Sequence, residues 1–212
     1  KGESKFEIQS DTAGDKTVTV SVGEKVLKQS VKVKFTSNVV TQGLISAISG
    51  RLPVGQLTVV TVTLQNDESL PVSGQPVEIS VEPVEEVIIT QPSEQTNRKG
   101  QTTAQLLVKR AGLKTVKAKW GEVELDTTAT ILFEAGPVDK VVLSAKPPRV
   151  KPQLATTVTI KLYDQYQNPI KSEQVSLKTT LGEIGAATDS GDGTYSAVFS
   201  APEQLGTAIL EA

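Results

Sequence analysis

The 212-residue sequence contains no cysteine, no histidine and no methionine. Without cysteine there is no disulfide framework and no thiolate metal site, and without histidine the commonest catalytic base and metal ligand is missing. Aromatic residues make up only 4% of the chain, so any core must be assembled mostly from Val, Leu, Ile and Thr. Neither sign of charge dominates. With 24 acidic residues against 22 basic ones, no field is strong enough to draw a polyanion, which excludes nucleic acid as a partner class. No apolar run is long enough to cross a membrane as a helix, so direct membrane insertion of this segment is not expected. No secretory or transit signal is present, which carries no weight in a segment of a longer chain.

What the sequence does have is self-similarity at a fixed offset of 98 residues. Residues 1–35 lie without a gap over residues 99–133, and eleven of those 35 positions are identical, among them Ala13/Ala111, Gly14/Gly112, Gly23/Gly121 and Phe35/Phe133. The same offset carries Ser46, Arg51, Thr61, Leu64, Pro71 and Val77 onto Ser144, Arg149, Thr159, Leu162, Pro169 and Val175. A period of that length describes a whole domain and not a solenoid unit, so the chain reads as a tandem array. Its phase divides the chain into residues 1–36, matching the last third of a unit; residues 37–134, one complete unit; and residues 135–212, a unit lacking its last strand. The chain is thus expected to be part of a longer polypeptide at both ends.

Period-2 alternation recurs throughout, as in Val60, Val62, Leu64 and in Val77, Ile79, Val81. These runs are rich in β-branched residues and bounded by Gly, Pro, Asn or Asp, the pattern of short strands in a sandwich. In the complete unit, strands are expected over 43–48, 57–65, 76–82, 86–90, 102–109, 113–120 and 123–133. Seven strands per unit is the immunoglobulin-like count, and no segment carries a 3.6-residue stripe. The fold class expected is all-β, tandem immunoglobulin-like β-sandwich modules joined end to end by short linkers.

The most specific short motif is the turn Asp164-Gln165-Tyr166-Gln167-Asn168-Pro169-Ile170, with its counterpart Asn66-Asp67-Glu68-Ser69-Leu70-Pro71-Val72. An Asp or Asn hydrogen-bonds its own backbone in such a turn, and the residue before Pro is pushed to extended geometry, so the chain re-enters a strand. Further along come Gly100 to Leu106, Ala111-Gly112 and Thr115-Val116-Lys117-Ala118, with Gly193 to Phe199 and Leu205-Gly206-Thr207-Ala208 in the last unit. Together these segments resemble the group 1 bacterial immunoglobulin-like repeats of the invasin/intimin surface adhesins, whose pattern places an Asp-x-x-x-Asn-Pro-Val turn between two strands. The resemblance covers nearly the whole chain. It departs at residues 66–70, which lack the Asn before Pro71, so the turn geometry there is not implied by it. The resemblance implies a cell-surface or extracellular location, anchored in the outer membrane through a part of the parent chain outside this segment.

Catalysis requires a nucleophile with a base in reach, a carboxylate pair in a cleft, or a metal. The densest acidic cluster, Glu82-Pro83-Val84-Glu85-Glu86, reads as a solvated edge or loop, and no catalytic residue or cofactor is expected. Hard oxygen ligands alone suffice for calcium. The loop Asp189-Ser190-Gly191-Asp192-Gly193 makes Asp189 and Asp192 the weak candidates for it, as does the Asp11/Asp15 pair, but turn chemistry accounts for these residues. Trp120 is expected to pack on the core or its rim, with a ligand-stacking platform as the alternative. Tyr166, in the turn, is the aromatic expected to be exposed and to contact a ligand.

The junctions Thr36-Ser37-Asn38-Val39-Val40 and Glu134-Ala135-Gly136-Pro137-Val138 are only a few residues long, and Pro137 stiffens the second. Short junctions between end-to-end modules predict a rod. The function expected is therefore structural and adhesive: a stalk or spacer segment of a larger bacterial surface or secreted protein. Its partners would be neighbouring modules of the same chain and a host or cell-surface protein or glycan. Two alternatives remain open at this point. One is a carbohydrate-binding or accessory module of an extracellular enzyme, which needs an exposed row of aromatics. The other is a filament subunit completed by an added strand.

Overall fold

A computed structural model describes residues 3–47 and 50–212. Lys1 and Gly2, which open the repeat, and residue 48, the expected end of one strand, lie outside the described residues. The strands run in order β1 (Gly14–Val22), β2 (Lys25–Phe35), β3 (Gln42–Ala47), β4 (Arg51–Pro53), β5 (Leu57–Gln65), β6 (Glu78–Glu82), β7 (Val87–Thr90), β8 (Gln101–Val108) and β9 (Gly112–Trp120). They continue as β10 (Val123–Glu124), β11 (Ala129–Glu134), β12 (Lys140–Lys146), β13 (Ala155–Tyr163), β14 (Lys178–Thr179), β15 (Glu183–Ile184), β16 (Thr188–Asp189), β17 (Thr194–Ser200) and β18 (Leu210–Glu211). The described residues form no helix.

The alternating sequences become strands with one face inward because each carries apolar side chains at every second position. Along β5, Val60, Val62 and Leu64 are fully buried, and their partners across the core are Ile79 and Val81 of β6 and Val116 and Ala118 of β9. One sheet of this first sandwich orders as β3-β5-β8-β7. In the other, β6 and β11 flank β9, and β4 adds to β11 in parallel. Two strand groups of this kind, with the first strand crossing from one sheet to the other, are the immunoglobulin-like arrangement.

A second core lies under β13 and β17, built on Val158, Ile160, Leu162, Tyr195, Ala197 and Phe199. Its main sheet orders as β12-β13-β17-β15. Leu64 donates its N–H to Gly100 in the first sandwich and Leu162 to Gly193 in the second. The offset is thus 98 at the donor and 93 at the acceptor, so the connection between them is five residues shorter in the second unit.

β1 and β2 form a hairpin whose register matches that of β9 with β11. Gly14 pairs with Phe35 and Val18 with Val31, as Gly112 pairs with Phe133 and Val116 with Ala129. Both hairpins turn at a glycine, Gly23 with φ 60° and Gly121 with φ 56°. Gly at the first central position of a two-residue loop suits the right-handed twist of paired strands.

One strand expectation is corrected, and one strand is added. The run expected over 123–133 is broken into β10 and β11, because Leu125 leaves the strand to bury its side chain over Gly43 while the Thr127 hydroxyl donates to the Gly43 carbonyl at 2.6 Å. The short strand β4 was not anticipated. It has no alternation of its own and exists through its parallel pairing with β11 and the N–H of Val54 donating to Glu134 at 2.9 Å.

Candidate functional site

The proline turns at the starts of the two sandwiches fold alike. Asp164 Oδ1 accepts from the N–H groups of Tyr166 and Asn168 at 2.8 and 2.9 Å, and Asn66 Oδ1 accepts from Glu68 and Leu70 at 3.0 and 2.9 Å. In each turn the first residue also donates its backbone N–H to the fifth, and the fourth donates back to the first. The fourth residue takes positive φ in both, 60° at Ser69 and 65° at Gln167. Residues 66–70 thus keep the turn despite lacking the Asn before proline, because the geometry is set by the side-chain oxygen at the first position.

This turn is where the second sandwich meets the first. Asn168 Nδ2 donates to the carbonyl of Lys109 at 2.7 Å and to Asp164 Oδ2 at 2.9 Å, while Asn168 Oδ1 accepts from the N–H of Ala111 at 2.8 Å. Lys109 and Ala111 lie in the connection between β8 and β9, so one side chain ties the two bodies through both faces of its amide. Asp164 Oδ2 also accepts from the linker N–H of Gly136 at 2.9 Å. Both side chains are buried, Asp164 completely. Burial works to raise the Asp164 pKa, but the N–H of Gly136, the Asn168 amide and the N–H groups of Asn168 and Tyr166 outweigh it and hold the carboxyl below its ordinary value.

Tyr166 is a correction to its expected exposure. Its ring is half-buried against the first core and lies over Gly55, where a Cβ would stand 2.7 Å from the ring. The turn that carries it docks on the neighbouring body, which covers the ring. Gly55 has φ 82°, so the position suits glycine on both counts. Beside this contact runs a groove of about 1100 Å³, bordered by Arg51, Lys109, Arg110, Lys171, Glu86 and Glu173. Charges of both signs line it, and Arg51 is already paired with Glu134 at 2.8 Å.

Trp120 is half-buried on the rim of the first core, and its Nε1 donates to Gln75 Oε1 at 2.8 Å. Asp189 is committed to its own loop, with Oδ1 accepting from Gly191 and Oδ2 from Ser172, and Asp192 Oδ1 accepts from Thr194, each at 2.8 Å. The Thr194 N–H holds the Asp192 carboxyl below its ordinary value. No group of three carboxylates is placed to share a metal ion among the described residues. The acidic stretch has a structural partner that the sequence did not suggest: buried Lys114 donates through Nζ to the carbonyls of Pro83 and Glu85 at 2.8 and 3.2 Å. Burial lowers the Lys114 pKa, with Glu85 opposing and Arg110 adding to that effect.

Asn168, Lys109, Ala111 and Gly55 were not among the sequence-level candidates. Asn168 stands in the turn motif, but a turn reading assigns it to local geometry and gives no sign that its amide leaves the turn.

Comparison with known proteins agrees with this fold. The family model described as invasin, domain 3 matches residues 143–212. The inverse autotransporter adhesin YeeJ of Escherichia coli strain K12 is 25% identical over 186 residues, covering 85% of this chain and 8% of the relative. Among solved structures, the Escherichia coli adhesin FdeC superposes with a TM-score of 0.59 at 18% identity, covering 92% of this chain and 68% of that one. Yersinia pseudotuberculosis InvD gives 0.60 at 24% identity, covering 79% and 51%. The fold is thus that of tandem immunoglobulin-like β-sandwich modules. Over residues 143–212 the likeness is to the third domain of invasin, and over most of the chain it is to an inverse autotransporter adhesin. The chain spans less than a tenth of the length of the curated relative it matches.

Proposed function

We propose that this chain is a spacer segment in the stalk of a bacterial surface adhesin, composed of units at 1–36, 37–134 and 135–212. The observation that supports it best is the Asn168 clamp. A side chain that hydrogen-bonds both a donor and an acceptor of the neighbouring body, next to a linker held by Asp164, fixes how one unit continues from the last. Fixed continuation is what a spacer needs, and it requires no pocket, metal or catalytic group. In this reading host or cell-surface partners, protein or glycan, are met by other parts of the parent chain. Outer-membrane anchoring also belongs elsewhere in that chain.

Small-angle scattering of the 212-residue chain tests the reading. A compact globule of this length has a radius of gyration of about 17 Å. End-to-end units give a clearly larger value and a skewed pair-distance distribution, whereas a value near that of the globule would overturn the spacer.

A further inference from the structure

The two junctions are equivalent in place and different in chemistry. The peptide joining Ser37 to Asn38 and the one joining Ala135 to Gly136 occupy the same position of the repeat. Asn66 Nδ2 donates to the carbonyl of the first, at Ser37, at 2.7 Å, whereas Asp164 Oδ2 accepts from the N–H of the second, at Gly136. Oδ1 of each side chain is already taken by its own turn, so only the second atom faces the linker. An amide nitrogen there can only donate and a carboxylate oxygen can only accept. Each side chain therefore selects one orientation of the linker peptide.

The difference extends along the turn. Four residues on, Asn168 clamps the connection 109–111, but its counterpart Leu70 is exposed and has no polar group to reach residues 11–13. Two residues on, Tyr166 covers Gly55, whereas Glu68 pairs with Lys34 at 2.9 Å in an ion pair open to solvent. Salt screens such exposed pairs, which do little to fix a geometry.

We propose that the first and fifth residues of this turn form a two-position code for junction stiffness. Asp with Asn locks the linker and the neighbouring hairpin, and Asn with Leu leaves a hinge. In this chain the bend then lies between residues 1–36 and 37–134, and 37–212 moves as one body. The inference rests on the spacer reading and adds where the spacer bends.

Because the protein has no cysteine, introduced pairs of spin-labelled cysteines report single distances. Exposed Lys28 and Thr103 straddle the first junction, and Thr103 and exposed Lys161 the second. Electron double-resonance on the full chain is expected to give a broad distribution across the first junction and a narrow one across the second. Asn168→Leu is expected to widen the second to match the first. Asn66→Asp with Leu70→Asn, which supplies the clamp facing Asp11 and Ala13, is expected to narrow the first. If Asn168→Leu impairs folding, as read by circular dichroism, the double variant still decides. Distributions that are narrow at both junctions and unmoved by either change would overturn the code while leaving the spacer standing. An unclamped, broad second junction in the unaltered chain would overturn the code and remove the spacer's main support.

Discussion

Replacing Asp164 by alanine is the most direct challenge to the junction as described. Four donors converge on this carboxylate: the N–H groups of Tyr166, Asn168 and Gly136 and the Nδ2 of Asn168. A buried donor left without a partner costs about 1–3 kcal/mol. Water entering the vacated space relieves part of this, so the lower bound applies, and the sum is about 4 kcal/mol. With a urea dependence of about 2 kcal/mol per molar, the second core should unfold about 2 M earlier. Asp164→Asn keeps Oδ1 but turns a donor toward Gly136 and Asn168, and should cost about 2 kcal/mol. Trp120, the only tryptophan, sits on the first core. Its fluorescence therefore follows that core alone, while far-ultraviolet circular dichroism follows both. The expected result is an early dichroism phase that precedes an almost unmoved fluorescence transition. A dichroism midpoint shifted by less than about 0.5 M would refute the reasoning. The pH dependence has a defined sign. The folded carboxyl titrates below its unfolded value of about 3.9, so its contribution is complete above that value and disappears as pH falls through the lower folded one.

Three further outcomes are expected. The folded Lys114 titrates below its unfolded value of about 10.4, so the unfolded chain binds more protons in that window and stability should rise as pH increases toward it; Lys114→Met should abolish the rise in urea melts while changing stability at pH 7 by no more than about 1 kcal/mol. Gly100→Ala should cost at least about 2 kcal/mol in thermal melts, since Gly100 has φ 72° and an added Cβ would stand 2.5 Å from the Leu64 carbonyl, whereas Gly121→Ala, with open space around it, should cost about 1. Asp189→Ala removes the acceptor for two backbone N–H groups and should lower the melting temperature equally with and without millimolar calcium. A calcium-induced rise lost in that variant would show instead that the loop holds the ion.

The sandwiches were legible in the sequence because their signals are local. Alternation at Val60, Val62 and Leu64 or at Val158 and Ile160 announces an inward face, and Gly23 and Gly121 announce hairpins. β4 was not legible, since three residues with no pattern become a strand only by meeting β11. Tyr166 was misread because exposure in a turn depends on what the turn touches, and the surface it touches lies some 57 to 111 residues away in sequence, at Gly55 and Lys109. The same is true of Asn168. Its first role, closing the turn, is readable from Asp164 and Pro169, whereas its second depends on a backbone hairpin presented by another unit. Lys114 shows the limit from the other side: its burial depends on the carbonyls of Pro83 and Glu85, 31 and 29 residues away, which no local pattern announces.

The pairing of β4 with β11 bears on how such a segment responds to load. Residues 51–53 lie near the point where the chain enters the first complete sandwich, residues 132–134 lie where it leaves, and the two run parallel. Tension applied at the two junctions pulls these strands in opposite directions along their own lengths. Their hydrogen bonds, together with the Arg51–Glu134 pair, are then loaded in shear and must yield together, whereas a hairpin pulled at its open end parts one bond at a time. A strand of only three residues therefore sits where a pulled tether would first be tested.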